Sequence, residues 1–102
     1  MVIEINEKEV TPNVFNNVIK ISETLGNEFN WINFSTYPNP NLTFSIDFEQ
    51  DEKLLSLEIG STGVGWFCEP GPILKDFLDI TTVEKYNNFI QELKKDLLFL
   101  FK

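Results

Sequence analysis

Between Thr11 and Gly26 the apolar residues Val14, Val18, Ile21 and Leu25 recur at intervals of four, three and four, with Phe15 and Ile19 widening the stripe. That period places one face of a helix against a core. Thr11 suits the N-cap, Pro12 the first helical position and Gly26 the C-terminal stop. Upstream, Val2, Ile3, Glu4 and Ile5 predict a short first strand. From residue 29 the period changes to alternation, which predicts strands over 29–36, 42–49 and 54–59. Ile32 and Phe34 share one face of the first. Leu42, Phe44, Ile46 and Phe48 do so in the second, and Leu55, Leu57 and Ile59 in the third.

The two connections, 37–41 and 50–53, have hairpin lengths, so the register can be tested. Closing the second loop symmetrically sets Phe48 opposite Leu55, Ile46 opposite Leu57 and Phe44 opposite Ile59, all apolar. Closing the first in the same way sets Phe34 opposite Phe44 and Ile32 opposite Ile46. A slip of one residue in either hairpin would mix the faces, so the agreement predicts an antiparallel meander over 29–59. The other face then carries Trp31 beside Asp47 beside Ser56, Asn33 beside Ser45 beside Glu58, and Ser35 beside Thr43, with Phe29 and Glu49 near one end.

Val64-Gly65-Trp66-Phe67-Cys68 predicts a fourth strand with a glycine at a bulge or close approach. Residues 73–79 predict a short helix through Ile73, Leu74, Phe77 and Leu78. A long last helix starts at Thr81, where Thr81 and Glu84 have capping-box spacing, and continues through Val83, Tyr86, Ile90, Leu93, Leu97 and Leu100. Its end, Leu97-Leu98-Phe99-Leu100-Phe101, is apolar on more than one face and is either enclosed or a contact for a second copy, giving a monomer or a weak homodimer. The expected architecture is α+β: a single domain with an antiparallel sheet of about four to five strands packed on an N-terminal and a long C-terminal helix.

Composition changes the picture by exclusion. The chain has 102 residues, 42% hydrophobic, with ten Phe, which is enough for one core. It has 8 basic and 16 acidic residues, a formal net charge of −8, and every base is Lys. Direct nucleic-acid binding is disfavoured without a basic footprint, whereas cationic partners are favoured. The absence of His removes the commonest general base and transition-metal ligand. The single Cys68, beside Glu69, reads as a small buried apolar residue rather than a reactive thiol. The glycines at 60, 63 and 65 lack the Lys-Ser/Thr of a phosphate loop, and the acidic residues lack EF-hand spacing, so no cofactor or metal is expected. MVIEINEKEV is acidic and does not read as a signal peptide, and no apolar run approaches the ~20 residues of a membrane span. A soluble, cytoplasmic protein is expected. Missing Ala, eleven Asn and Lys in place of Arg suggest an A+T-rich gene, which fits a mobile bacterial or phage locus or simply an A+T-rich host.

The mixed face combines Trp31, and on one assignment Trp66, with Asp47, Glu49 and Glu58, an aromatic anchor in a charged rim suited to protein recognition. Alternatively Trp31 is covered by another segment. The path from Trp31 through NPNLTFSIDF, residues 39–48, and LLSLEIGSTGVGW, residues 54–66, in a small, acidic, His-free chain resembles the immunity proteins of contact-dependent inhibition and other polymorphic bacterial toxins. The likeness covers about a third of the chain and is one of pattern. It implies a cytoplasmic protein that binds one cognate toxin domain, often a nuclease with a basic cleft, and blocks it. The expected mechanism is stoichiometric inhibition, not catalysis: Asp47, Glu49 and Glu58, with Asp51 and Glu52 in the adjacent turn, pair with toxin Lys and Arg while Trp31 fills a central contact. Alternatives are a small-molecule-binding or carboxylate-based enzymatic domain, and a phage-type acidic nucleic-acid mimic.

Overall fold

The computed structural model describes residues 12–71 and 73–102. The predicted strand at 2–5 and the Thr11 cap lie outside them. The architecture is α+β: helix α1 (Pro12–Gly26), five strands β1 (Asn33–Pro38), β2 (Phe44–Gln50), β3 (Lys53–Ile59), β4 (Gly63–Glu69) and β5 (Leu74–Asp79), then helix α2 (Val83–Phe101). The strands form one antiparallel meander in the order β1-β2-β3-β4-β5.

The predicted stripe of α1 is buried through Val14, Val18, Ile21 and Leu25, while Ile19, expected to widen it, is exposed. On the sheet, Phe44, Ile46, Leu55, Leu57, Ile59, Val64 and Trp66 complete the same core, joined by Phe89, Leu93 and Leu97 of α2. Both helices therefore cover one face. They are cross-tied by Thr24 Oγ1 and Tyr86 OH at 3.0 Å, by Lys20 Nζ 4.0 Å over the Tyr86 ring, and by Lys94 Nζ to Glu28 Oε1 at 2.6 Å. Trp66, offered as a residue of the open face, instead pairs with Leu57 on the core side and is 2% exposed. Its Nε1–H donates to Asp96 Oδ2 of α2 at 2.9 Å, which satisfies an indole donor that burial would otherwise leave unpaired.

The β2–β3 register is as expected, with Phe44 opposite Ile59, Ile46 opposite Leu57 and Phe48 opposite Leu55. The β1–β2 register is not: Phe34 lies opposite Phe48 and Pro38 opposite Phe44, so the pairing of Phe34 with Phe44 is corrected. The cause lies at both ends of β1. Phe29 N–H and Glu28 N–H donate to the Leu25 carbonyl and Ile32 N–H to that of Phe29, winding the chain after α1 into turns so that the strand begins at Asn33. At the other end Leu42 takes φ 69° and Asn39 N–H donates to Thr43 O, closing the loop at 39–43 instead of 37–41. The slide is an even number of residues, so each residue of β1 keeps its face while changing its neighbour.

Residues 74–79 form a strand, not the short helix expected. The apolar run of 73–79 fits either period, and a helix of that length gains too little to offset its nucleation. Gly71, at φ 123°, turns the chain back, and Cys68 N–H donates to Ile73 O to begin the hairpin. Helix α2 is capped by Thr82, not Thr81: Thr82 Oγ1 accepts from Lys85 N–H, while Thr81 N–H donates to Asp79 Oδ1. Hydrogen bonds from Thr81, reinforced by Lys85, hold the Asp79 carboxyl down at about 2. At the far end of α2, Leu97, Leu100 and Phe101 are buried and Leu98 and Phe99 are exposed.

The β2–β3 hairpin turns on two residues rather than four, Asp51 and Glu52, both left-handed at φ 53° and 65°. A two-residue turn of this hand matches strand twist but favours Asn-Gly, because a Cβ is strained there. Glu52→Gly is expected to raise stability by about 0.5–1 kcal/mol in chemical denaturation. An unchanged or lower midpoint would show that the turn carries no such strain.

Candidate functional site

The alternation that buries one side of the sheet leaves the other without a helix among the described residues. Three rows cross this bare face. The first is Tyr37, Ser45, Glu58, Gly65; the second is Ser35, Asp47, Ser56, Phe67, Leu74; the third is Asn33, Glu49, Leu54, Glu69. A concavity of about 750 Å³ opens over the first, lined by Tyr37, Ser45, Glu58, Gly65, Phe67 and Phe77 among others.

Each wall has a local cause. Val64, Trp66 and Cys68 face the core, so Gly63 and Gly65 lie on the cavity side, where β5 packs over them. At Gly65 the β4–β5 pairing shifts by a bulge, and the Lys75 carbonyl oxygen comes within 2.9 Å of where a Cβ would stand. The Phe77 ring occupies the space of a Cβ at Gly63, so this position is buried although it lies on the bare face. Phe77 and Leu74 remain 63% and 71% exposed, an apolar wall along β5. On the opposite side the loop at 39–43 stands up from the sheet, with Asn39 Nδ2 donating to Thr43 Oγ1 and Ser45 Oγ at 3.0 and 2.8 Å.

The carboxylates are held in place. Glu58 Oε2 lies 2.7 Å from Thr43 Oγ1 and accepts from Asn41 Nδ2 at 2.9 Å, while Oε1 accepts no hydrogen bond among the described residues. Asp47 accepts from Ser56 Oγ at Oδ1, 2.6 Å, and from Tyr37 OH at Oδ2, 2.9 Å. The three ion pairs among the described residues, Lys75–Glu92, Lys85–Asp79 and Lys94–Glu28, each have a partner on α2, and none involves Asp47, Glu49 or Glu58. Among the described residues these acids are oriented by hydroxyls and amides without a counter-charge, which leaves their negative potential uncancelled.

Of the six residues singled out in the sequence, Glu58 lines the cavity. Asp47 lies one row away, joined to it through Tyr37 and Ser56. Glu49 lies in the third row, and Asp51 and Glu52 at the hairpin tip, so the expected cluster divides into separate groups. Trp31 is not beside Asp47, whose neighbour is Ser35. It sits in the turn before β1, 42% exposed, with Nε1 donating to Glu28 O and its ring 6.2 Å from that of Phe29. Tyr37, Phe67 and Phe77 supply the aromatic surface in its place. The alternate glycines at 63 and 65 were their visible signal, because strand period puts both on the face opposite Trp66.

Among the described residues no group of three or more His, Cys, Asp or Glu is placed to hold a metal, and no helix is long and apolar enough to cross a membrane. Comparison with models of known families, with curated proteins and with solved structures gives no match. Cys68 is buried on the core face, and burial, with the charge of Asp96 second, pushes its thiol up to about 11. Modification of Cys68 by a thiol reagent at pH 8 should therefore be slow in the folded protein and accelerate only as denaturant unfolds it. Rapid modification without denaturant would restore the thiol as a candidate nucleophile.

Proposed function

We propose that this protein is a stoichiometric inhibitor of the immunity type, which binds a basic bacterial toxin domain through the bare, concave face of its sheet. The observation that carries this reading is the pair of fixed carboxylates, Asp47 and Glu58, that have no cationic partner among the described residues and lie beside exposed Tyr37, Phe67 and Phe77. Desolvated aromatic rings supply affinity, and the unpaired acids supply fast and selective association. The net charge of −8 adds a long-range field of the same sign. On this reading Glu49, Asp51 and Glu52 extend the acidic surface beyond the cavity, and no chemical step is performed by the chain itself.

A second reading, a small-molecule-binding domain, is favoured by one observation: about 750 Å³ falls within the range of ligand cavities. The two readings separate experimentally. Tagged protein incubated with lysate of its source bacterium at moderate salt is expected to retain one basic protein at equal stoichiometry, and the enzymatic activity of that protein should fall to zero at one equivalent. Asp47→Asn with Glu58→Gln is expected to slow association by about tenfold and flatten its salt dependence. Binding unchanged in that double variant would remove the bare face from the account, and retention of a small molecule alone would favour the second reading.

A further inference from the structure

The inhibitor reading leaves open what enters the cavity, and the first row of the bare face is specific about it. Glu58 stands between two small neighbours, Ser45 on β2 and Gly65 on β4. Its carboxylate is anchored through Oε2 by the loop residues Asn41 and Thr43, while Oε1 has no partner among the described residues. Beyond Gly65 the backbone of β5 closes in, and Phe77 lies flat enough over Gly63 to exclude a Cβ. Tyr37 stands at the other end of the row, its ring tethered by the bond from its hydroxyl to Asp47. Lys75 also borders the cavity, but its ammonium is drawn to Glu92 of α2, 3.5 Å away, and does not neutralise Glu58.

We infer that this trough is a receptor for one arginine side chain of the partner, its guanidinium on Glu58 and its stem along Phe67 and Phe77. The inference rests on the bare face being the binding surface. Three features select guanidinium. The small neighbours Ser45 and Gly65 leave the Glu58 carboxylate open to the cavity, its Oε1, which accepts no bond among the described residues, can take N–H donors, and the aromatic walls stack on a planar group. An ammonium is a compact, strongly hydrated charge that uses the walls poorly, so lysine is the weaker occupant. Glu58 is preorganised by Asn41 and Thr43, which lowers the cost of ordering it when the cation arrives. The chain contains no arginine of its own, so no residue of a second copy competes for the site in this way.

The test uses the whole protein, labelled with nitrogen-15, titrated with N-acetyl-arginine amide and followed by amide chemical shifts. Saturable shifts centred on Gly63, Gly65 and Phe77 are expected in the millimolar range, with N-acetyl-lysine amide several-fold weaker and the response reduced by roughly tenfold in Glu58→Gln. Glu58 is exposed, and the isosteric amide keeps its acceptor, so the variant folds. Absence of saturable shifts, shifts centred elsewhere such as the Asp51-Glu52 tip, or an equal response in Glu58→Gln would each overturn the inference. Because the probe is a free amino-acid derivative, the outcome does not depend on the toxin. An arginine-responsive trough in a protein that retains no protein partner supports the selectivity of the trough for guanidinium and contradicts both the inhibitor reading and the assignment of that arginine to a protein partner. A retained partner whose binding is weakened by Asp47→Asn but not by Glu58→Gln supports the inhibitor reading and contradicts this inference.

Discussion

The pairing of Ile46 with Leu57 in the central hairpin is the constraint on which the rest of the molecule depends. Strand side chains alternate with a period of two, so this one alignment sends Phe44, Phe48, Leu55 and Ile59 to the helices and Ser45, Asp47, Ser56 and Glu58 to the other side. A slip of one residue would exchange the sets. Each large apolar side chain moved into water would lose about 1.5–3 kcal/mol, and Asp47 would enter the core unpaired. Helices α1 and α2 fit only the apolar side, which fixes the layer order and leaves the second face bare. The candidate site is thus a direct consequence of the register that builds the core.

This dependence explains what the sequence could and could not reveal. The central register was legible because its three core-facing pairs, Phe44–Ile59, Ile46–Leu57 and Phe48–Leu55, are all apolar, and α1 and α2 were legible because their stripes run for three turns or more. The faces of β1 were legible, but its neighbours were not: the turns that bind Phe29 N–H to Leu25 O shorten the strand, and nothing in residues 29–32 alone marks this as different from alternation. Strand β5 was missed because Ile73, Leu74, Phe77 and Leu78 satisfy helical spacing as well as a bulged strand. The cavity could not be assembled without both corrections. Its wall is β5, and its central acid meets Tyr37 through Ser45 only in the observed β1 register. Trp31 and Trp66, the conspicuous aromatics, are respectively in a turn and in the core, while the less conspicuous Tyr37, Phe67 and Phe77 face the cavity.

Charge is distributed in the same two-sided manner. The described ion pairs all engage α2, where Lys75, Lys85 and Lys94 are matched by Glu92, Asp79 and Glu28. On the bare face hydroxyls and amides hold the carboxylates instead, and these partners orient an anion without cancelling its charge. In a chain of net charge −8 such an arrangement costs self-repulsion in the free protein.

The most direct measurement is amide hydrogen exchange of the protein alone and in complex with the partner it retains. The account predicts new protection in the loop at 39–43, at the glycines of β4 and along β5, with the exposed sides of α1 and α2 unchanged. Protection concentrated at Leu98 and Phe99 of α2, with 39–43 and β5 exchanging as before, would contradict it and place the functional surface on the helices.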